Sequence, residues 1–394
     1  YVYHVGPLFR QHLFMVMFEV LAVVLLTVVV DREEKSGQRN NWGLLGVMVF
    51  LLLAGYTKQL AYATVAAVFI FLFLRQWKRA IAWAIPFAAV TVGIFFWLDW
   101  ATGGQWWLNT IAANLNDFIP EQAVMLYRQW FDLHTVITVI ALVFAFYQLY
   151  FERLSAYAIW FVIAVANSIT AGTWGAGESY FVTAIAASII LTGIALGRLL
   201  RWSETELWRN PVSAQTMLMV AIPLLFLWQA NKMFHMPTHT PTLQAVAQTL
   251  GYPTETMKPP QTSCSAPHPA EAIPYVDRAF ISLGRPPTAE DTAAGIAIAN
   301  KILEGQTPAF SEEAGFNLYA GREVVTNPTQ LRNLDLAGVL DTSEMEAMLY
   351  GQVFDTVILR AQFFPPAVLN ALGQAYETTD LIQMNGFVYC VMRP

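Results

Sequence analysis

A lysine within a long apolar stretch is the first residue whose type and position could do chemistry. Lys58 lies in the middle of LLLAGYTKQLAYATVAAVFIFLFL, residues 51–74, with apolar runs on both sides. An ammonium group beside low-dielectric walls makes a strong site for a lipid phosphate at a membrane surface. The alternative is that the flexible side chain only reaches the lipid headgroups.

A histidine and a glutamate form a second candidate polar site, in the first apolar segment. His12 and Glu19 are seven residues apart, which places them on the same face of an α-helix. Arg10 stands just before this segment. Ionisable groups inside a membrane span are costly and mark functional positions by default. The alternative is that the His12 and Glu19 side chains only hydrogen-bond to each other and have no function.

The composition indicates that membrane helices position these residues. The chain of 394 residues is 56% hydrophobic and 13% charged, against about 25% charged in soluble domains. A net charge of -6 and the lack of a basic, aromatic-rich patch argue against a nucleic-acid partner, and membrane lipids are the expected surroundings. Because Tyr1 is not methionine and no signal peptide precedes the first apolar run, we expect a processed product or part of a longer chain.

The predicted fold is a membrane all-α helical bundle of about eight spans, followed by a small extracytoplasmic α/β domain. A span needs about 17–25 mostly apolar residues. The transmembrane domain is predicted over 1–230, with an interfacial loop at 99–134 that carries two amphipathic helices. The predicted spans are 13–30, 42–55, 60–74, 80–98, 135–151, 155–171, 180–200 and 213–230.

The basic residues predict the orientation of these spans. Alternate loops contain ten lysines and arginines, whereas the opposite side has only Arg10, Lys58 and Arg128. Because basic loops stay in the cytoplasm, Lys58 and everything after residue 230 are predicted to lie outside. The ten basic residues are Arg32, Lys35, Arg39, Arg75, Lys78, Arg79, Arg153, Arg198, Arg201 and Arg209.

The outer part is predicted to be a proline-rich linker, 231–287, and a soluble domain, 288–394. A helix is expected from Thr288 to Gly305, a buried strand at 353–359, a helix in PPAVLNALGQAY and a hairpin turning at residues 385–386, Asn-Gly. No phosphate-binding loop or catalytic serine motif occurs here, so a binding or positioning role is predicted. Cys264 and Cys390 are the only cysteines and are disulfide candidates. No metal site is predicted.

Four stretches resemble bacterial GT-C membrane glycosyltransferases related to dolichyl-phosphate-mannose protein mannosyltransferases and aminoarabinose transferases. The first, AGYTKQLAYATVAAVFIFLFLRQWKRA, resembles the family's helix–TKQ–helix–basic-loop unit. The second, ATGGQWWLNTIAANLN, resembles its outer loop, and GAGESYFVTAIAASIILTGIA resembles its late Gly-x-Tyr-Phe span. The fourth, PAFSEEAGFNLYAGREVV with the closing GFVYCVMRP, resembles the outer domain of some members.

The resemblance implies an enzyme of the bacterial cytoplasmic (inner) membrane that moves a sugar from a polyprenyl-phosphate carrier to an acceptor on the outer face. Lys58 would then hold the carrier phosphate, with Arg10 and Arg128 as weaker candidates and Glu178 as a polar contact. The catalytic carboxylate of the family belongs to an outer loop expected before Tyr1. A divalent cation is the only cofactor candidate.

The alternative is a non-catalytic membrane subunit that keeps this scaffold and holds protein partners in a larger complex. The departure at His12, where the family often has an acid, is consistent with that alternative.

Overall fold

The structure is a computed structural model that describes residues 11–206, 214–233, 289–306, 308–360, 363–384 and 387–394, with isolated positions between 242 and 249. The chain divides into two compact units. One contains Tyr1–Leu98 and Asp117–His235, and the other contains Asp99–Asn116 and Met236–Pro394. The described residues are mostly helical with a small C-terminal sheet, which confirms the expected combination of a helical fold and a small α/β unit.

The helices of the first half follow the predicted apolar runs. Four segments are long and apolar enough to cross a membrane: His12–Ser36, Gln59–Ala101, Pro120–Glu152 and Glu178–Arg201. Asn41–Thr57, Ala156–Gly172 and Met217–Ala230 are apolar but shorter. The α-helices are α1 (His12–Ser36), α2 (Asn41–Thr57), α3 (Tyr62–Ala101), α4 (Gln105–Thr110), α5 (Pro120–Tyr147), α6 (Ala156–Asn167), α7 (Val182–Glu206) and α8 (Ala214–Met233).

Helices α1 and α2 form a tight antiparallel pair. Gly37, in the left-handed conformation (φ 67°), ends α1, and the Asn40 side chain caps α2 by accepting the Gly43 N–H at 2.8 Å. A Cβ on Gly43 would collide with Val29, so the glycine lets the two backbones approach closely. Small residues at such contacts are the usual device of membrane helix pairs.

Helix α3 consists of two apolar segments that fold back on one another. Gln76 has non-helical backbone angles (φ -150°, ψ 75°) and lies between the third and fourth predicted spans. The rings of Phe69 and Phe87 are 5.4 Å apart, although 18 residues of straight helix would extend about 27 Å. The Tyr56 hydroxyl, from the end of α2, donates to the Thr91 carbonyl. The chain therefore reverses at Gln76.

Helix α5 joins residues that the sequence assigned to two elements. The second amphipathic helix of the predicted interfacial loop and the predicted span 135–151 form one helix divided at His134, whose backbone is non-helical (φ -117°, ψ 22°). The Gln229 side chain of α8 accepts the N–H groups of Val136 and Ile137 at 2.7 and 3.3 Å. This amide satisfies donors that the break would otherwise leave unpaired in a buried position.

Most ion pairs of the first unit gather at one end of its helices, which we call the charged end. Glu33 accepts two hydrogen bonds from Arg79, both 2.7 Å, and Glu34 pairs with Arg75 at 2.7 Å and Arg153 at 3.0 Å. Glu33 lies 21 positions after His12 in α1. That offset corresponds to about 32 Å of helix, which is close to the roughly 30 Å of a bilayer core.

The second unit contains a four-stranded sheet. Its strands are β1 (Ala309–Ser311), β2 (Thr356–Leu359), β3 (Glu377–Met384) and β4 (Phe387–Arg393), in the order β1-β2-β4-β3. β1 and β2 are parallel, and the other pairs are antiparallel. The helices are α9 (Ala289–Glu304), α10 (Ala314–Tyr319), α11 (Pro328–Leu336), α12 (Ser343–Tyr350) and α13 (Pro366–Ala375).

The predicted hairpin is confirmed, because Met384 of β3 pairs with Phe387 of β4 across residues 385–386. Cys390 is disulfide-bonded, and its predicted partner Cys264 lies outside the described residues.

Residues 99–116 belong to this unit, where the Asn333 amide donates to the Ala113 carbonyl at 3.0 Å. The first half of the predicted interfacial loop therefore packs on α11.

Candidate functional site

The candidate site is built around Lys58, at the point where α2 stops. Lys58 has an extended backbone (φ -161°, ψ 139°), and its backbone N–H donates a hydrogen bond to the Ala54 carbonyl at 3.0 Å. A 3₁₀ turn, Gln59–Ala61, follows before α3 begins. The side chain is half-buried, and Nζ lies 5.2 Å from the centre of the Tyr180 ring. This is a cation–π contact at the end of an apolar hairpin.

His12 contacts the same aromatic ring. The ring centres of His12 and Tyr180 are 6.1 Å apart, tilted by 52°, and His12 is buried with 2% exposure. Lys58 and His12 are separate candidates in the sequence, and the structure brings them together on Tyr180. Tyr180 had no predicted role of its own, because an aromatic residue at the start of a span is usually an interface anchor.

Glu178 lies two residues before Tyr180, in the 3₁₀ turn Glu178–Phe181 that leads into α7. It is half-buried and accepts a hydrogen bond from the side-chain amide of Gln129 on α5. Two turns earlier on α5, the Gln122 amide donates to the carbonyls of Ala171 and Thr173 at 2.7 and 2.9 Å. These two glutamines fix the loop between α6 and α7 and so position Glu178. We call His12, Lys58, Glu178 and Tyr180 together the Lys58 end.

Glu19 lies deeper in the bundle and forms a separate network. It is fully buried, and its two carboxyl oxygens accept the hydroxyls of Thr64 at 2.7 Å and Thr183 at 2.8 Å. The indole N–H of Trp160 donates to the Thr64 hydroxyl at 2.8 Å. The network links α1, α3, α6 and α7 through hydrogen bonds. No contact joins Glu19 to His12 among the described residues, so the predicted His–Glu pair does not form there.

Helices α1 and α7 run in the same direction past this site. His12 contacts Tyr180, and seven residues later Glu19 contacts Thr183. The Lys58 end and the Glu19 network therefore lie at successive depths along the same pair of helices, with the charged end beyond them.

The other two predicted phosphate ligands are Arg10, which lies outside the described residues, and Arg128. Arg128 is exposed on α5 and forms no ion pair in the part of the chain that the structure describes. No cluster of three or more metal-ligating His, Cys, Asp or Glu side chains occurs among the described residues.

No known protein family matches the chain, and neither a curated protein nor a solved structure shows significant similarity to it. The Lys58 end combines an ammonium and an imidazole on one aromatic ring, and the carboxylate of Glu178 belongs to the same 3₁₀ turn as that ring. It lies at the ends of segments that are long and apolar enough to span a membrane. Such an arrangement suits an anionic, lipid-borne group.

Proposed function

We propose that the chain is the membrane part of a GT-C-like glycosyltransferase, which moves a sugar from a polyprenyl-phosphate carrier to an acceptor on the outer face of the bacterial cytoplasmic membrane. The observation that carries the proposal is the placement of the Lys58 ammonium over Tyr180, at the tip of an apolar hairpin and beside His12. A polyprenyl chain would lie along the exposed apolar side of the helices while its phosphate meets Lys58.

In the transfer step, the bond between the sugar C1 and the carrier phosphate oxygen breaks, and the acceptor hydroxyl oxygen bonds C1. The departing phosphate gains negative charge, which a nearby ammonium stabilises. In this proposal Lys58 has that role. The cation–π contact with Tyr180 keeps the Lys58 side chain directed along the helix ends. The proton of the acceptor hydroxyl goes to a carboxylate base, a role that the family resemblance assigns to a residue of an outer loop.

The proposed orientation rests on the two different ends of the bundle. The charged end contains Arg75, Arg79 and Arg153, and the positive-inside rule assigns such an end to the cytoplasm. The Lys58 end is then extracytoplasmic. In the same orientation the C-terminal α/β unit, which follows the last predicted span, is extracytoplasmic as well.

The alternative function is a non-catalytic subunit that keeps this scaffold within a larger membrane complex. One observation favours it: both oxygens of Glu19 are occupied by threonine hydroxyls, and the side chain is fully buried. Such a carboxyl group binds helices together and does not reach an acceptor. Under this alternative, the Lys58 end binds a structural membrane lipid.

The experiment that tests the proposal measures sugar transfer by the full chain in liposomes that contain a polyprenyl-phosphate sugar. Lys58→Ala is expected to lower the rate about tenfold to a hundredfold, because a hydrogen bond to a charged group contributes about 1.5–3 kcal/mol. Lys78→Ala is the matched control, since Lys78 also makes a cation–π contact, with Trp77 at 5.4 Å, but lies next to Arg79 at the charged end. Equal rates for the two variants would contradict the proposal, and no turnover by the native full-length protein would favour the subunit alternative.

A further inference from the structure

The C-terminal unit contains a cavity that the transferase proposal does not use. It has a volume of about 320 Å³ and is open to the surface, within the lower range of small-molecule sites. Its walls come from α9, α10 and the end of β3, and they are mostly apolar, with Ile296, Phe316 and Met384 among the lining residues. Gly295 also lines the cavity, and a Cβ at this position would lie 3.0 Å from the Met384 sulfur.

The cavity opens beside the carboxyl end of β1, where polar residues converge. Glu313 is the only acidic or basic residue among the described residues that line the cavity. Its Oε1 atom accepts the Tyr389 hydroxyl at 3.2 Å and lies 3.0 Å from Nε of Arg360, the residue directly after β2. Edges formed by the carboxyl ends of parallel strands are the common location of ligand sites in α/β sheets.

The second carboxyl oxygen of Glu313 is available to a ligand. Both described side-chain contacts of this residue go to Oε1, whereas an ionised carboxylate can accept about four hydrogen bonds over its two oxygens. Tyr389 stays a donor, because burial, and secondarily the Glu313 carboxylate, raise the pKa of its hydroxyl. Oε2 therefore remains as the acceptor at the mouth of the cavity.

The carboxylate at the cavity mouth favours a charged hydrogen-bond donor. Glu312 is adjacent and buried, and it accepts the N–H groups of Arg360 at 2.7 Å and Phe363 at 3.0 Å. Glu312 therefore directs its oxygens to backbone N–H groups, and Glu313 presents the carboxylate at the cavity. An apolar wall with a carboxylate oxygen at its mouth is complementary to a molecule that has an apolar body and a positively charged donor.

We propose that this cavity binds a small organic amine, with its apolar body between Phe316 and Met384 and its ammonium donating to Oε2 of Glu313. The site lies entirely within the C-terminal unit and is independent of the transferase proposal. It would give this unit a ligand-binding role of its own.

The test uses the full chain in lipid nanodiscs with methionine methyl groups labelled with carbon-13. The Met384 signal is assigned from its loss in Met384→Leu, and the protein is titrated with 2-phenylethylamine and with the neutral 2-phenylethanol. We expect the amine to shift the Met384 signal to saturation and to bind about tenfold more tightly than the alcohol, as a charge-assisted hydrogen bond predicts.

Two variants separate the parts of the site. Glu313→Gln should remove the preference for the amine. Gly315→Leu should block both probes, since a side chain at Gly315 meets nothing within 4 Å and enters open space. The other methionine signals report whether each variant is folded. An unchanged Met384 signal, an equal affinity for amine and alcohol, or wild-type binding by folded Gly315→Leu would overturn the proposal.

Discussion

The Glu19 network yields a prediction whose size follows from its bonding pattern. Thr64 is the central member, because its hydroxyl donates to Glu19 at 2.7 Å and accepts from Trp160 at 2.8 Å. Thr183 is terminal in the described network, with one bond of 2.8 Å to Glu19. Replacing either threonine with valine removes the hydroxyl while keeping the branched shape. Thr64→Val therefore loses two hydrogen bonds, and Thr183→Val loses one.

The expected costs can be worked out bond by bond. A hydrogen bond between membrane helices contributes about 0.6 kcal/mol on average and up to about 1.7. Thr183→Val should therefore lower the free energy of unfolding by about 0.6–1.7 kcal/mol. Thr64→Val should cost about twice as much, because it also leaves the Trp160 indole N–H without its acceptor in a buried position.

The assay is equilibrium unfolding of the purified chain in mixed micelles, with increasing fractions of a denaturing detergent. Thr138→Val is the matched control: Thr138 is buried at 6% exposure, and its hydroxyl has no hydrogen-bond partner among the described residues. That variant should be neutral or slightly stabilising. An equal cost of Thr183→Val and Thr64→Val, or a cost of Thr138→Val as large as either, would refute this bonding pattern.

Two further predictions concern the helix break and the C-terminal unit. Gln229→Leu removes the acceptor of two backbone N–H groups at the His134 break and should lower the free energy of unfolding by about 1–3 kcal/mol; an unchanged value in the same assay would count against it. Burial, and then the carboxylates of Glu346 and Asp341, raise the pKa of Asp335. Its charged form therefore destabilises the folded unit above that pKa, and this penalty disappears below the usual pKa of about 3.9. Asp335→Asn should therefore slow amide hydrogen exchange in α11 at pH about 7 but not, relative to wild type, at pH about 3, and an equal effect at both would contradict this sign.

The sequence predicted the apolar helices and the hairpin because their signals are local. The break at Gln76 separates two apolar runs, and the two residues between β3 and β4 form the strongest short turn signal in the chain. The three-residue strand Ala309–Ser311 was missed, since it is too short to show a period. The continuity of α5 was also missed, because the amide that bridges its break, Gln229, is distant in sequence.

The site was predicted only in part for the same reason. Lys58 and His12 stand out as polar residues in apolar segments, but nothing local indicates that both contact Tyr180. Glu19 was identified, whereas its partner Thr183 was not, because 164 residues separate them along the chain. Contacts of this kind are fixed by the packing of helices and not by the residues next to each partner.

The placement of a lipid phosphate at the Lys58 end is the central claim, and cross-linking tests it most directly. A polyprenyl phosphate that carries a photoreactive group next to its phosphate would be added to the full chain in liposomes, illuminated, and mapped by peptide mass spectrometry. We expect labelled peptides that contain Lys58 or Tyr180, and strongly reduced labelling in Lys58→Ala but not in Lys78→Ala. Labelling centred on Lys78 and the charged end, or labelling that is equal in the two variants, would contradict the account.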